Sequence, residues 1–541
     1  MRKIHPVLLI VLSAAVLFLS GCSLFFPFTI SVEVVPPEGG TVEIYPPGDR
    51  YGEGDSVNIK AVPEEGYVFS RWEGDLSGYN PEEEFVMDGD KEITAYFESL
   101  EPRKWTIMVY LDGDNNLEPE AFTDMNYMEL GLYNAENSGN GFPEDSYIIV
   151  LVDCLGTADE YGWSGTRLYR LRADGTSSDI LSEQLDDGGP GFGHCDPLGE
   201  LNMGNPETLS WFLERCGTYF PSEKYGLILW NHGGGARSLD PRDICEDTDS
   251  SDILNLNEVQ TALSRSFSGT EKLDFLGMDA CLMGTAEVAY EFRDITECMS
   301  FSPANEYGGW AYEEIFGEMT GSTTSAQLAR KVVEKYRDKS LSYGLNVNTQ
   351  TAVDLSSISG LKTALDGLAA AFDTSGNTST IEGLRDSATH YYENEQQSIA
   401  WPYYEIGSLC DALEGSYPSG SGAVYNALTA VRSALSDVII YAWAGSGSGD
   451  YEGAGIGNGL SVFFTRGEQE WDEEDPPAYT HYAYQWWYTE QIIQEVSDPN
   501  MNPPYGGIDF ADSDSDGTVE TWREIFEKWY DPGDSYTPGS Y

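Results

Sequence analysis

The stretch LDFLGMDACLMGTAE (residues 273–287) runs from a continuous apolar segment into a lone cysteine and then into a helical pattern. A short apolar run without alternation is what a strand buried on both faces requires. Three other runs share this character: WTIMVYLD (105–112), SYIIVLVD (146–153) and YGLILW (225–230). Helical periodicity lies between them at 206–216 and 256–266, and returns in SAQLARKVVEKYRDK (325–339) and SSISGLKTALDGLAAAF (356–372). NGLSVFF (458–464) reads as a late strand. Strands alternating with helices predict an α/β fold with a mainly parallel sheet covered on both faces. Sites in such sheets form beyond the carboxyl ends of the strands. The run 273–279 delivers Cys281 to that place, where it reads either as a small apolar core residue or as a nucleophile.

Nucleophilic cysteine chemistry needs a thiolate, a proton carrier and donors for an oxyanion. A helix beginning at Cys281, with Leu282, Ala286, Ala289 and Phe292 on its apolar side, is expected to acidify the thiol through its aligned amides. The histidines are 5, 194, 232, 390 and 481. His5 belongs to the leader, and 194, 390 and 481 fall in loop or helix contexts. His232 follows YGLILW and precedes three glycines, which let backbone approach a ligand closely. If the strands ending before His232 and Cys281 are neighbours, both side chains reach one rim of the sheet.

In order along the chain, WTIMVYLDGDNNLE, LILWNHGGG, MDACLMGTAEVAYEF and SPANEYGGWAY resemble the clostripain family of cysteine peptidases, across residues 100–495. The resemblance implies a caspase-like α/β/α sandwich and a Cys/His dyad. Carried over, Cys281 is the nucleophile, His232 the general acid/base, and the N–H groups of Gly233 and Cys281 the oxyanion donors. It also implies cleavage after Arg or Lys in protein or peptide substrates, with Asp279 and Glu306 on the substrate side. Asp279 lies two residues before Cys281, hence on the same side of an extended chain; it also reads as the N-cap of the helix that follows. Glu306 with Gly308, Gly309 and Trp310 reads equally as a turn closing over an aromatic core. Family members self-cleave in the loop after the histidine, here ARSLDPRDICEDTDSSD (236–252), where Arg237 and Arg242 offer basic bonds. The chemistry requires no cofactor. Two other readings stand beside this one: a lipoprotein adhesin or binding protein on a peptidase-like scaffold, and a related cysteine hydrolase of different specificity. The intact His232, Cys281 and Asp279 favour the peptidase.

The flanking regions set the context. Residues 1–21 combine the basic start MRKIH with an apolar core, Val7–Leu19, too short to span a bilayer with ease. The LSGC that follows (19–22) resembles a bacterial lipobox. That resemblance implies cleavage before Cys22, a lipid on its sulfur, a tether over 22–28 and a place on the cell envelope outside the cytoplasm. Residues 29–99 alternate apolar and polar residues in short runs, the pattern of strands. There YGEGDSV, GYVF, RWEGD and ITAYF resemble the internalin-type B-repeat, a small β module without catalytic residues. Residues 496–541 form an acidic linker, a partial EF-hand-like loop and a helix. Asp512, Asp514, Asp516 and Gly517 match the front of a calcium loop, with Glu520 at its ninth position. Its twelfth position is Arg523 rather than an acid, so the candidate Ca²⁺ site competes with an acidic helix start whose apolar stripe is Val519, Trp522, Phe526 and Trp529. With 29 basic and 91 acidic residues the net charge is −62, which repels phosphate and excludes nucleic acid as a partner.

Overall fold

Alternation shapes the N-terminal part. Its strands are β1 (Ile30–Val35), β2 (Gly40–Tyr45), β3 (Ser56–Pro63), β4 (Tyr67–Gly74), β5 (Glu82–Val86) and β6 (Lys91–Ser99). They build two three-stranded sheets, β1-β6-β4 and β2-β3-β5. Ile59, Ala61, Phe69, Trp72, Ile93, Ala95 and Phe97 point inward and form the core. β5 (EEEFV) is missing from the sequence reading because glutamates hide its pattern; it pairs with β3 at the margin of its sheet. The computed structural model describes residues 28–78, 80–156, 163–176, 178–185, 198–234, 244–267, 272–394, 399–465, 509–511 and 518–530. They fall into two compact units divided at Glu101 and Pro102.

The second unit contains β7 (Trp105–Gly113), β8 (Ser146–Cys154), β9 (Arg167–Arg170), β10 (Glu183–Gln184) and β11 (Tyr225–Trp230). The hairpin of β12 (Ile244–Asp247) and β13 (Asp252–Leu254) follows, then β14 (Leu273–Asp279), β15 (Thr296–Phe301) and β16 (Thr349–Asp354). The last strands are β17 (His390–Asn394), β18 (Ile399–Glu405), β19 (Ile439–Ala444), β20 (Tyr451–Gly453) and β21 (Ser461–Phe463). Ten of them form one sheet in the order β10-β9-β8-β7-β11-β14-β15-β16-β19-β20. Its five central strands, β8 to β15, are parallel, and antiparallel strands extend both margins. The four apolar runs read from the sequence are the four adjacent strands β8, β7, β11 and β14.

Alternate residues of β7 serve opposite faces. Ile107, Val109 and Leu111 meet the helix Glu118–Ser138 through Phe122, Met125 and Met128, together with the helices Tyr312–Glu318 and Ser325–Tyr343. On the other face Tyr110 lies 6.1 Å from the ring of Phe212, on the helix Pro206–Tyr219. Beside it the helix Leu256–Ser266 starts with a reciprocal cap between Asn255 and Glu258. This is the expected α/β/α layering. The chain passes from β7 to β8 on one side and later returns to β11 on the other, so the strand order reverses at β7. A crevice at the carboxyl ends follows from that reversal.

The late strand read at 458–464 is β21, which joins β18 and β17 in a separate small sheet rather than the central one. Against it packs the helix Trp522–Tyr530. Val519, Trp522 and Phe526 of the apolar stripe are buried, and Trp522 Nε1 donates to Phe463 O at 2.7 Å. Among the described residues no helix is long and apolar enough to cross a membrane.

Candidate active site

β11 and β14 are adjacent and parallel, with Trp230 opposite Asp279. Their continuations therefore run side by side: Asn231 N donates to Asp279 O at 3.4 Å, and the next residues are His232 and Gly233 on one strand end and Ala280 and Cys281 on the other. A Cβ placed on Gly233 would stand 2.5 Å from Cys281 O, 2.8 Å from Ala280 Cβ and 3.1 Å from Cys281 N. The two backbones touch, and only glycine permits it. The strand ends that carry His232 and Cys281 thus lie side by side at one rim of the sheet.

Exposure separates Cys281 from the other thiols. Of the six described cysteines, all free, it is the one that is not buried. Burial pushes Cys298 and Cys410 up to about 12 and raises Cys154, Cys216 and Cys245 as well, so those five stay protonated and inert. The Sγ of Cys281 accepts a hydrogen bond from Glu306 N at 3.3 Å. That backbone donor favours the thiolate.

The helix expected to begin at Cys281 does not begin there. Residues 280–284 form a turn in which Leu282 takes φ +63°. The turn is held by Leu282 N on Ala304 O (3.0 Å) and Gly284 N on Ser302 O (2.8 Å). The helix starts at Ala286, with Thr285 Oγ1 accepting from Val288 N at 3.1 Å. A helix N-terminus therefore does not act on the thiol; the Glu306 amide does. Asp279 is consequently not a helix cap either.

His232 Nε2 lies 3.1 Å from Asn116 Oδ1. Asn116 lies in the stretch WTIMVYLDGDNNLE, but the sequence reading gives it no role. The same loop fixes the residue before the histidine: Asn231 Nδ2 donates to Asp112 Oδ2 at 2.8 Å, and Asn115 Nδ2 to Asn231 Oδ1 at 3.2 Å. Asn-rich sequence directly after a buried strand is the signal that could have marked it. Among the other histidines, His390 opens β17 rather than a loop or helix, half-buried with its ring 5.5 Å from Tyr404.

Beside Cys281 lies a group of buried acidic side chains. Asp279 is 6% exposed, and its Oδ2 accepts from Tyr312 OH at 2.8 Å and Trp310 N at 3.3 Å. Burial pushes it up to about 6, against the opposing pull of Tyr312, Trp310 N and Lys339. Glu306 Oε1 accepts from Trp310 Nε1 (2.7 Å) and Gln350 Nε2 (2.9 Å), while its Oε2 is sealed from solvent without a partner. Burial first, and then the Asp279 charge, hold Glu306 well above the carboxylate range. Asp124, bonded to Trp230 Nε1 at 2.9 Å, is pushed up to about 8 by burial and by Asp279. Lys339 faces this group but spends its ammonium on the carbonyls of Gly309 and Trp310. The reading of residues 306–310 as a turn over an aromatic core fits the structure: Trp310 is fully buried, packed on β14 where Gly277 leaves room.

A second acidic group, Asp114, Asp153, Glu200 and Asp247, lies at the ends of β7, β8 and β12. Cys22, Arg237, Arg242, His194, His481, Asp512, Asp514 and Asp516 lie outside the described residues. Glu520 is described and exposed, its N–H donating to Glu524 Oε2 at 2.7 Å.

Residues 109–522 match the clostripain family, and residues 30–101 match the divergent InlB B-repeat domain. Clostripain of Hathewaya histolytica is 28% identical over 506 residues, covering 83% of this chain and 91% of its own length. Two solved structures are also similar. An inactive zymogen C11 protease from Parabacteroides distasonis has a TM-score of 0.48 and 18% identity, over 68% of this chain and 93% of that one. A secreted C11 cysteine protease from Bacteroides thetaiotaomicron, in complex with an irreversible peptide inhibitor, has a TM-score of 0.47 and 18% identity, over 71% and 97%.

Proposed function

The chain belongs to the clostripain family and is a cysteine peptidase, and from that premise we propose that it is an endopeptidase cutting after Arg or Lys with Cys281 and His232. The observation that carries the reading is the contact of Gly233 with the Cys281 backbone, which brings the histidine strand end against the described cysteine that is not buried. The Cys281 thiolate attacks the scissile carbonyl carbon. The carbonyl electron pair moves to oxygen, where the N–H groups of Cys281 and Gly233 are the donors for the negative charge. His232 gives its proton to the departing amine as the C–N bond breaks, leaving a thioester on Cys281. His232 then takes a proton from water, the hydroxide attacks the thioester, and the carboxylic acid leaves as the thiolate returns. Asn116 orients the imidazole throughout. This cycle calls for no cofactor.

The substrate's basic side chain enters the recess of Asp279 and Glu306. Asp279 is ionised at neutral pH, since its titration lies at about 6. Glu306 Oε2 has no donor of its own, and an arriving guanidinium or ammonium supplies one. The mature chain is lipid-anchored through Cys22 outside the cytoplasm, and it is processed after Arg237 or Arg242. Three experiments test these points. Arg-, Lys-, Ala- and Asp-ended fluorogenic peptides are assayed with wild type and Cys281→Ala: basic peptides alone are cut, and only by wild type, whereas turnover confined to Ala or Asp peptides refutes the specificity. A Cys22→Ser chain leaves the detergent phase if the lipid is there. A single uncut band from fully active enzyme on a denaturing gel refutes the processing.

A further inference from the structure

β14 stands between β11 and β15 in the central sheet. The strand end bearing His232 therefore lies on one side of Cys281, and residues 302–310, which follow β15, lie on the other. Leu282 N donates to Ala304 O at 3.0 Å, and Glu306 N to Cys281 Sγ at 3.3 Å, so this loop is fixed against the cysteine. On the endopeptidase reading, His232 protonates the departing amine. The leaving half of a substrate then lies toward β11, and its acyl half toward the loop after β15.

In that loop Tyr307 is 46% exposed, one of the few large apolar side chains that the described residues leave open to solvent. Its backbone is fixed all the same: Tyr307 O accepts from Asn348 Nδ2 at 2.9 Å and from Tyr336 OH at 3.1 Å. Its phenol oxygen accepts from Asn305 Nδ2 at 3.3 Å. Gly308 and Gly309 follow at φ +84° and +58°, so the chain turns sharply away after the ring. A Cβ on Gly308 would stand 3.5 Å from Leu345 Cδ1, which places a second apolar side chain beside the turn. A tyrosine held this way offers rigid apolar area and loses little freedom when something packs on it.

We propose that Tyr307, with Leu345 beside it, forms a subsite for an apolar side chain on the residue immediately before the cleaved Arg or Lys. The proposal rests on the endopeptidase reading and adds a second residue to the description of the substrate. Successive side chains of an extended peptide point in opposite directions. The basic side chain turns inward to Asp279 and Glu306, so the side chain before it turns outward. The loop itself alternates in the same sense: Glu306 sends its carboxyl inward to Trp310 and Gln350, and Tyr307 is open. The surroundings select the chemistry. The ring and Leu345 offer apolar contact, whereas the neighbouring Glu306 and Asp279 and a net charge of −62 oppose an acidic side chain.

The test uses the full chain and acetyl-X-Arg-aminomethylcoumarin peptides with Leu, Phe, Gly or Asp at X, which differ on the acyl side only. Wild-type kcat/KM is expected to be about tenfold higher for Leu or Phe than for Gly, with Asp lowest. In Tyr307→Ala the Leu-to-Gly ratio should fall about fivefold, and in Tyr307→Phe it should persist, because the ring carries the contact. Tyr133→Ala removes an exposed ring from the helix Glu118–Ser138 and should leave the ratio as in wild type. Each ratio is taken within one protein, so a smaller folded fraction does not move it. Should Tyr307→Ala fail to fold, Tyr307→Gln, which lacks the ring, is expected to show the same fall. A wild-type ratio close to unity, with Arg peptides still cut, overturns the subsite and leaves the endopeptidase reading standing. So does a ratio that survives loss of the Tyr307 ring, or one lost equally in Tyr133→Ala. Turnover of none of these peptides overturns both.

Discussion

Replacing Gly233 with alanine tests the contact on which the site depends. The new Cβ would stand 2.5 Å from Cys281 O and 2.8 Å from Ala280 Cβ. Neither neighbour is a flexible side-chain tip; one is backbone and the other is fixed to it. To reach an ordinary contact the two strand ends must part by about 0.9 Å, and overpacking of this kind costs about 1–3 kcal/mol of stability. The chemical cost is larger in effect, because a displacement near 1 Å between reacting groups slows catalysis about 100-fold. We therefore expect kcat/KM on an Arg-ended fluorogenic peptide to fall about 100-fold, equivalent to about 2.7 kcal/mol. The thermal midpoint should drop modestly and the chain should stay folded. Gly217→Ala is the control: a Cβ there meets nothing within 4 Å, in the last turn of the helix Pro206–Tyr219. It should leave kcat/KM unchanged and raise stability by about 0.5–1 kcal/mol. A Gly233→Ala enzyme within twofold of wild type in kcat/KM would refute the reasoning.

Asp279 titrates at about 6, so its carboxylate forms as pH rises through that value, and the preference for an Arg substrate over its neutral citrulline counterpart should rise with it. In Asp279→Asn that preference should be flat with pH and about 100-fold smaller, close to the 3 kcal/mol typical of breaking a buried charge pair; a persisting rise near pH 6 would implicate another group. Tyr312→Phe removes the 2.8 Å donor to Asp279 and should move the same midpoint upward, because the ionised form loses its support. Trp522→Ala strips a fully buried ring packed on Phe464 and the bond to Phe463 O, and should cost about 3–5 kcal/mol in urea unfolding. A loss below 1 kcal/mol would show that the helix Trp522–Tyr530 is dispensable to the unit.

The centre of the fold could be read because a strand buried on both faces leaves an unbroken apolar run. β7, β8, β11 and β14 all do so, and the two that end in His232 and Cys281 turned out to be neighbours. The antiparallel margins and β5 carry no such mark, since short or charged strands blend into loops. Sequence after Cys281 suggested a helix too early. The apolar spacing of Leu282, Ala286 and Ala289 is helical, but Gly284 packs against Pro303, Leu282 turns left-handed, and the true start signal is Thr285. Asn116 and the cluster of Asp114, Asp153, Glu200 and Asp247 were illegible for a different reason. Their members come from separate segments, and only the strand order brings them together.

The rate of Cys281 alkylation by iodoacetamide against pH, read by peptide mass mapping in wild type and His232→Ala, tests the pairing most directly. With the imidazole beside the sulfur, wild-type Cys281 should react as a thiolate well below the ordinary thiol range of about 8.5, the buried Cys154, Cys216, Cys245, Cys298 and Cys410 should stay unlabelled, and His232→Ala should return the profile toward that range. Identical profiles in the two proteins, or faster labelling at any of the buried cysteines, would contradict it.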